Sequence, residues 1–263
     1  MTHNKEIIFS LQKITISLLL ILCFSTPALQ ASDKEQQLVL EVYPQWYSND
    51  GYTLQGNIGI QKVFENDDWV KYYVKPSVSY GLDDNWGLHG GLGLYYTDYK
   101  ENDNNVETRP YLGVSHFYTL TEKWKLSGYL RVEERFQDNK EDSTRLRLRL
   151  RTHYTMNPLS NEETWHKFTF GIEGFKSYYH DDNDADSQDT YDRESHVTLG
   201  LERSLRKKEK LRFELAWKYQ APPGEISSSD SNTVYFRIQY YPMWGKRLSN
   251  RLTDKAVDQA IDQ

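Results

Sequence analysis

The chain has a single cysteine, Cys23, which falls inside a short apolar run near its start. Leu22 stands before it, where a lipoprotein signal would place a small residue. Past that run neither a disulfide nor thiolate chemistry is open to the chain. Long hydrophobic runs are missing too. No stretch after residue 31 offers the roughly 20 consecutive apolar residues that a membrane helix needs. If the protein enters a membrane, it must therefore do so as a closed barrel. The formal net charge of -6 leaves no basic excess for nucleic acid.

Signs of catalysis are equally scarce. There is no nucleophile elbow and no Asn-His-x-Ser-like motif. His116 follows Ser115 and His196 follows Ser195, but adjacent strand residues point to opposite faces, so neither pair can form a dyad. Asp182, Asp184 and Asp186 have the spacing of the first ligands of an EF-hand loop. The Gly and Glu which that loop then requires are replaced by Ser187 and Arg193. Gly90, Gly91 and Gly93 are followed by no helix and so make no phosphate loop. These absences lead us to expect no enzyme, no metal and no cofactor.

The start of the chain has the three parts of a secretory signal. Lys5 and Lys13 precede the apolar run Ile14 to Phe24, and a small-residue stretch, STPALQA, ends at Ala31. We expect a signal peptide over 1–31, a barrel over 32–244 and a polar C-terminal tail over 245–263. Aromatic residues make up 14% of the chain, with 20 Tyr and 7 Trp. That richness in an otherwise polar sequence suits a barrel in which every second residue faces lipid and aromatic girdles mark the interfaces.

Alternation is the dominant pattern. It runs through 38–47, 53–64, 69–80, 86–96, 107–118, 124–136, 144–151, 165–175, 194–204, 211–219 and 233–241. Runs of this length suit tilted transmembrane strands and exceed the usual soluble strand of about 5 or 6 residues. Short connections at 82–85, 120–123 and 205–209 alternate with longer polar ones at 98–106, 136–143, 179–192 and 220–231. Outer-membrane barrels likewise have short periplasmic turns and long outside loops. The fold expected is all-β, an antiparallel transmembrane barrel. Eleven runs are countable, but single-chain bacterial barrels have even numbers. The expectation is therefore about 12 strands, with 10 as the alternative. The final residue, Gln263, departs from the aromatic end common in such barrels.

The sharpest segment is TRLRLRLR, 144–151. As a strand it carries Leu146, Leu148 and Leu150 on one face and Arg145, Arg147, Arg149 and Arg151 on the other. An arginine facing lipid at the midplane costs about 2–4 kcal/mol, so the arginines must face the lumen. The same parity turns Arg109, Arg131, Arg135, Arg212, Arg237, Lys71, Lys75 and Lys218 inward, with Glu41, Glu107, Glu133, Glu173, Glu194, Glu202 and Glu214. Two interiors follow. One is a water-filled channel with an arginine track for anions; the other is a closed barrel filled by ion pairs. Four neighbouring like charges without adjacent acids are hard to neutralise, which favours the channel.

The stretch ETRPYLGVSHFYTLTEKWKLSGYLRVEERF, with RLRLRLR after it, resembles small bacterial outer-membrane barrels. It is similar to the oligogalacturonate-specific porins, narrow barrels that import acidic oligosaccharides. It equally resembles a family of outer-membrane barrels of unknown function, with the pattern E-x-R, R-x-E-x-R, R-x-R-x-R. Here that pattern would fall on Glu107 and Arg109, then Arg131, Glu133 and Arg135, then Arg145, Arg147 and Arg149. The resemblance is best over 86–155. The porin likeness implies that Arg109, Arg131, Arg135 and the arginine ladder contact anions. The expectation is an outer-membrane channel for anionic solutes, acidic oligosaccharides first among them. Its lumen contacts would be Arg109, Arg131, Arg135, Arg145, Arg147, Arg149, Arg151 and Arg237. Its partners would be outer-membrane lipid and those solutes but no nucleic acid, and we expect a monomer rather than a trimer. The alternatives are a closed barrel with a structural or interaction role and a soluble periplasmic β-protein.

Overall fold

The computed structural model describes residues 34–49, 51–64, 69–100, 103–138, 141–156, 165–179, 191–205, 209–221 and 231–242. The expected signal peptide, the acidic segment 182–187 and the C-terminal tail lie outside these residues. All regular structure among them is strand. The elements are β1 Lys34–Val42, β2 Gln45–Asn49, β3 Tyr52–Gln55, β4 Ile58–Val63, β5 Trp69–Val74, β6 Ser77–Gly81 and β7 Trp86–Tyr99. They continue with β8 Asn105–Thr119, β9 Trp124–Gln137, β10 Ser143–Thr155, β11 Trp165–Tyr179, β12 Tyr191–Ser204, β13 Lys210–Ala221 and β14 Ser231–Tyr241.

These fourteen segments form one sheet in the order β2-β3-β6-β7-β5-β4-β1-β14-β13-β12-β11-β10-β9-β8, and β7 pairs with β8 to close it. Closure pairs the long strands on both sides, which removes the exposed edges that an open sheet would offer to a neighbouring chain. β1 and β2, β3 and β4, and β5 and β6 are each one strand interrupted by a bend. The fourteen segments therefore make a closed barrel of eleven columns, in keeping with the expected all-β barrel of about 12 strands.

The three bends fall on Tyr43–Pro44, Gly56–Asn57 and Lys75–Pro76, residues lying between paired segments. Proline has no N–H for the ladder, which accounts for the breaks at Pro44 and Pro76. The ladder resumes across them: Lys75 N donates to Asn57 O at 2.7 Å, and Leu92 N to Pro76 O at 3.1 Å. Gly56 is required at its bend, because a Cβ there would lie 2.7 Å from the Trp46 ring.

Strands β7 to β13 are 12 to 15 residues long. At a rise of about 3.3 Å per residue they reach roughly 40–50 Å, enough to cross a bilayer at a tilt of about 45°. The strand ends flanking connections 64–68, 100–104, 138–142, 180–190 and 222–230 share one rim, and those flanking 50–51, 82–85, 120–123, 156–164 and 205–209 the other. The alternation of long and short read from the sequence is thus largely a sorting by rim, with 156–164 an exception and 205–209 as long as three connections of the other rim. The shortest turn, 50–51, contains Gly51 at φ 86°, a left-handed conformation that glycine adopts without strain.

The sides of the sheet are inverted relative to a water-soluble protein. Leu148 is 52% exposed, Leu112 74%, Val132 46% and Ile172 46%, while Glu133, Glu214 and Arg212 are each 1% exposed and Glu202 0%. Buried apolar side chains form only a small cluster around Val39, Tyr73, Ala216 and Tyr235. Apolar atoms outside and charges inside make sense when the outer solvent is hydrocarbon. The barrel is therefore compatible with an outer-membrane protein. No helix among the described residues is long and apolar enough to cross a membrane, a fact that does not bear on strands.

Candidate functional site

Every residue assigned inward by parity is on the lumen side. The interior divides into two halves. Towards the rim of the longer connections lies a cavity of about 480 Å³. Its walls include Lys71, Lys75, Arg109, Arg131, Arg135, Arg145, Arg147, Lys218 and Arg237, against Glu41, Glu173 and Glu194. Its aromatic lining includes Trp69, Tyr73, Tyr95, Tyr111, Phe175 and Tyr235. Nine lysines and arginines against three glutamates give the cavity a cationic surface.

The arginines are held, not loose. Glu133 on β9 accepts from Arg131 and Arg145, with Arg109 at 3.9 Å. Glu107 on β8 takes Arg109 at 2.5 Å and Arg135 at 2.6 Å. Glu173 on β11 holds Arg147, and Glu214 on β13 holds Arg151 at 3.1 Å and Arg237 at 2.8 Å. Pairing across strands follows from register: Arg145 sits directly opposite Glu133, and Arg149 directly opposite Glu173. Arg149 also lies 5.1 Å from the Tyr129 ring. Aromatic faces back the others, Arg109 at 4.1 Å over Tyr95, Arg131 at 4.5 Å over Tyr111 and Arg145 at 4.8 Å over Phe175. Such fixed guanidinium groups lose little side-chain freedom when they meet an anion.

This pairing corrects the argument that four neighbouring arginines are hard to neutralise inside the barrel. The acids come from β9, β11 and β13, and strand-local reasoning sees none of them. The ladder is also split by depth. Arg145 and Arg147 line the cavity. Arg149 and Arg151 are only 4% and 5% exposed, within the packed half.

That second half is filled by side chains. His89 bridges Ser79 at 2.9 Å and Ser115 at 2.8 Å. His153 meets Ser127 at 2.9 Å. Glu202 gathers His166 at 2.8 Å, Arg212 at 3.4 Å, Lys210 at 3.5 Å and Lys167 at 3.9 Å. Ser204, His166 and Glu202 make a hydrogen-bonded series, with Ser204 to His166 at 3.0 Å. Ser204 is 5% exposed, and Glu202 has three lysine and arginine partners besides His166, so the series is enclosed in the packed half. The adjacent Ser–His pairs stay apart as expected: Ser115 faces His89, and His196 bonds Glu194 and Tyr235. No cluster of potential metal ligands occurs among the described residues.

Sequence reading placed Lys71, Lys75 and Lys218 inward without assigning them to the site. The aromatic lining was missed, although Tyr95 and Tyr111 have the inward parity of Gly93 and Arg109, which face each other across β7 and β8.

A family model described as a protein of unknown function, DUF2490, matches residues 45–223. The chain belongs to this family. The match spans β2 to β13, the arginine ladder included, and it agrees with the resemblance to barrels of unknown function. No curated protein and no solved structure matches the chain, so no named relative supports the porin likeness. For this DUF2490 member, function has to be argued from the cavity itself.

Proposed function

We propose that this protein resides in the bacterial outer membrane and receives anionic solutes, acidic oligosaccharides among them, in its cationic cavity. It works without cofactor or reaction, as a monomer, exported by its N-terminal signal. The observation that carries the reading is the cavity wall, where nine lysines and arginines meet three glutamates. The filled half beneath it makes this a closed conduit rather than an open pore. Passage requires the Glu133, Glu173 and Glu214 ion pairs to yield. A second reading is favoured by the completeness of those pairs: a closed barrel with a structural or interaction role.

Planar-bilayer recording of refolded protein, shown to be folded by heat-dependent gel mobility, separates them. The expected wild-type conductance is small, and Glu173→Gln, which removes the carboxylate that holds Arg147, increases it with a reversal potential of anion selectivity. A large steady wild-type conductance would refute the sealed half. Cation selectivity in the opened variant would refute the anion reading. Silence in both would leave the structural role standing. Partition of the native protein into the soluble periplasmic fraction would overturn the membrane placement.

A further inference from the structure

One cation of the cavity stands apart. Among the described residues Lys71 has no carboxylate partner; its ammonium lies 5.1 Å from the ring of its own strand neighbour Trp69. Arg109, Arg135 and Lys218 all lie within electrostatic reach of it, and Glu107 is the acid nearby. Glu107 is already engaged by Arg109 and Arg135, and Lys218 by Glu194 at 3.4 Å. These four cations come from β5, β8, β9 and β13, so they converge across the lumen rather than along one strand.

The surplus can be sized. The nine cavity cations are reached by six glutamates: Glu41, Glu107, Glu133, Glu173, Glu194 and Glu214. In these ion pairs the nine basic residues outnumber their glutamates by three. A cluster of like charges with too few acids is relieved by an anion that enters with charges of its own. A volume of about 480 Å³ accepts a small organic solute. Trp69 beside the ammonium and Tyr95 beside Arg109 supply flat apolar walls for its carbon skeleton.

We propose that the mouth of this cavity is a binding site for a small oligoanion carrying about three carboxylates or equivalent acidic groups, with Lys71 its primary charge contact. The proposal rests on the anion-receiving reading above and gives it a place and a ligand class. The ammonium is a compact point charge that does not impose a planar fork, so it accepts a carboxylate from several directions. Arg135 and Arg109 keep Glu107 while offering their remaining N–H groups to the ligand.

Calorimetric titration of the refolded full chain in detergent provides the test, with citrate as the tricarboxylate, sulfate as a compact inorganic anion and acetate as the monovalent reference. Citrate is expected to bind at least tenfold more tightly than acetate, and more weakly as salt rises. Lys71→Gln is expected to weaken citrate about tenfold or more, the loss of one charge-assisted contact. Lys71→Arg should retain most of the affinity, which excludes a folding defect at this position. Lys123→Gln, in the exposed turn on the other rim, should change nothing. Citrate no better than acetate overturns the oligoanion class, and sulfate equal to citrate reduces the site to a general anion hole. Citrate binding unmoved by Lys71→Gln overturns the site alone, if the conductance remains anion-selective. Loss of both citrate binding and anion selectivity overturns the site and the reading on which it rests.

Discussion

Glu133→Gln is the substitution whose consequence can be worked furthest from the structure. Glu133 is 1% exposed and serves arginines from three strands, Arg109 on β8, Arg131 on β9 and Arg145 on β10. Gln is nearly the same shape, so packing is preserved and the change is electrostatic. Arg109 keeps Glu107. Arg131 keeps the ring of Tyr111, and Arg145 keeps the ring of Phe175 and the field of Glu194. Breaking a buried pair by removing one partner costs about 3–5 kcal/mol, because a charge is left without compensation. The Gln carbonyl still accepts one hydrogen bond, which places the expected loss near the lower end, about 3 kcal/mol, or roughly a hundredfold in the folding equilibrium. Equilibrium unfolding of the refolded barrel in urea, followed by tryptophan emission, measures it. Glu122→Gln, in an exposed turn, should cost no more than about 1 kcal/mol. Adding Arg131→Met to Glu133→Gln should recover part of the loss, since one of the two stranded charges is gone. A loss under about 1 kcal/mol for Glu133→Gln would show that water reaches this layer, and the sealed half would be wrong.

Two further substitutions probe the outer face and the bent strands. Leu148 lies mid-strand on β10 and is 52% exposed, so Leu148→Arg should cost about 2–4 kcal/mol in lipid vesicles. A cost within about 0.5 kcal/mol, the usual surface value, would mean that this face meets water. A Cβ at Gly59 would run into the Tyr73 ring, whose hydroxyl donates to Glu41 at 2.7 Å. Gly59→Ala should therefore cost about 1–3 kcal/mol by pushing Tyr73 off that carboxylate, and Gly59→Ala with Tyr73→Ala, which removes the ring, should cost little more than Tyr73→Ala alone. Additive costs, read by the same unfolding assay, would refute the clash as the cause.

Much of this was legible in the sequence because a strand's side chains have a period of two, and that period survives folding unchanged. Leu146, Leu148 and Leu150 face out, and Arg145 to Arg151 face in, by parity alone. So do Glu107, Glu133 and Glu173. Parity does not say which acid meets which arginine. Arg151 reaches Glu214 on β13, 63 residues away, across columns that only the closed barrel brings within range. The depth at which a cavity ends was also hidden. It depends on how far inward long side chains such as Arg212 and His166 extend from opposite walls, and the alternation of types is the same above and below that level.

The odd number of columns has a physical consequence that parity correctly detected as a difficulty. If every neighbour were antiparallel, eleven strands could not close. The structure closes them with β1 and β14 running in the same direction. Tyr43 N donates to Tyr240 O at 2.7 Å and Gln45 N to Pro242 O at 3.5 Å, two steps forward on both strands. Parallel pairing is slightly weaker per residue than antiparallel, and Pro242 can accept but not donate. Side chains reinforce this seam. Gln239 Nε2 donates to Glu41 Oε2 at 2.8 Å, Arg237 reaches the same oxygen at 3.3 Å, and the rings of Tyr43 and Tyr241 stack at 4.7 Å. Glu41 also accepts from Asn57 at 2.8 Å and from Tyr73 at 2.7 Å. One buried carboxylate thus ties β1 to β14 on one side and to the bent strands on the other. The charged interior therefore serves closure of the barrel as well as the cavity: the acid that holds the seam is also one of the six that leave the cavity's cations in excess.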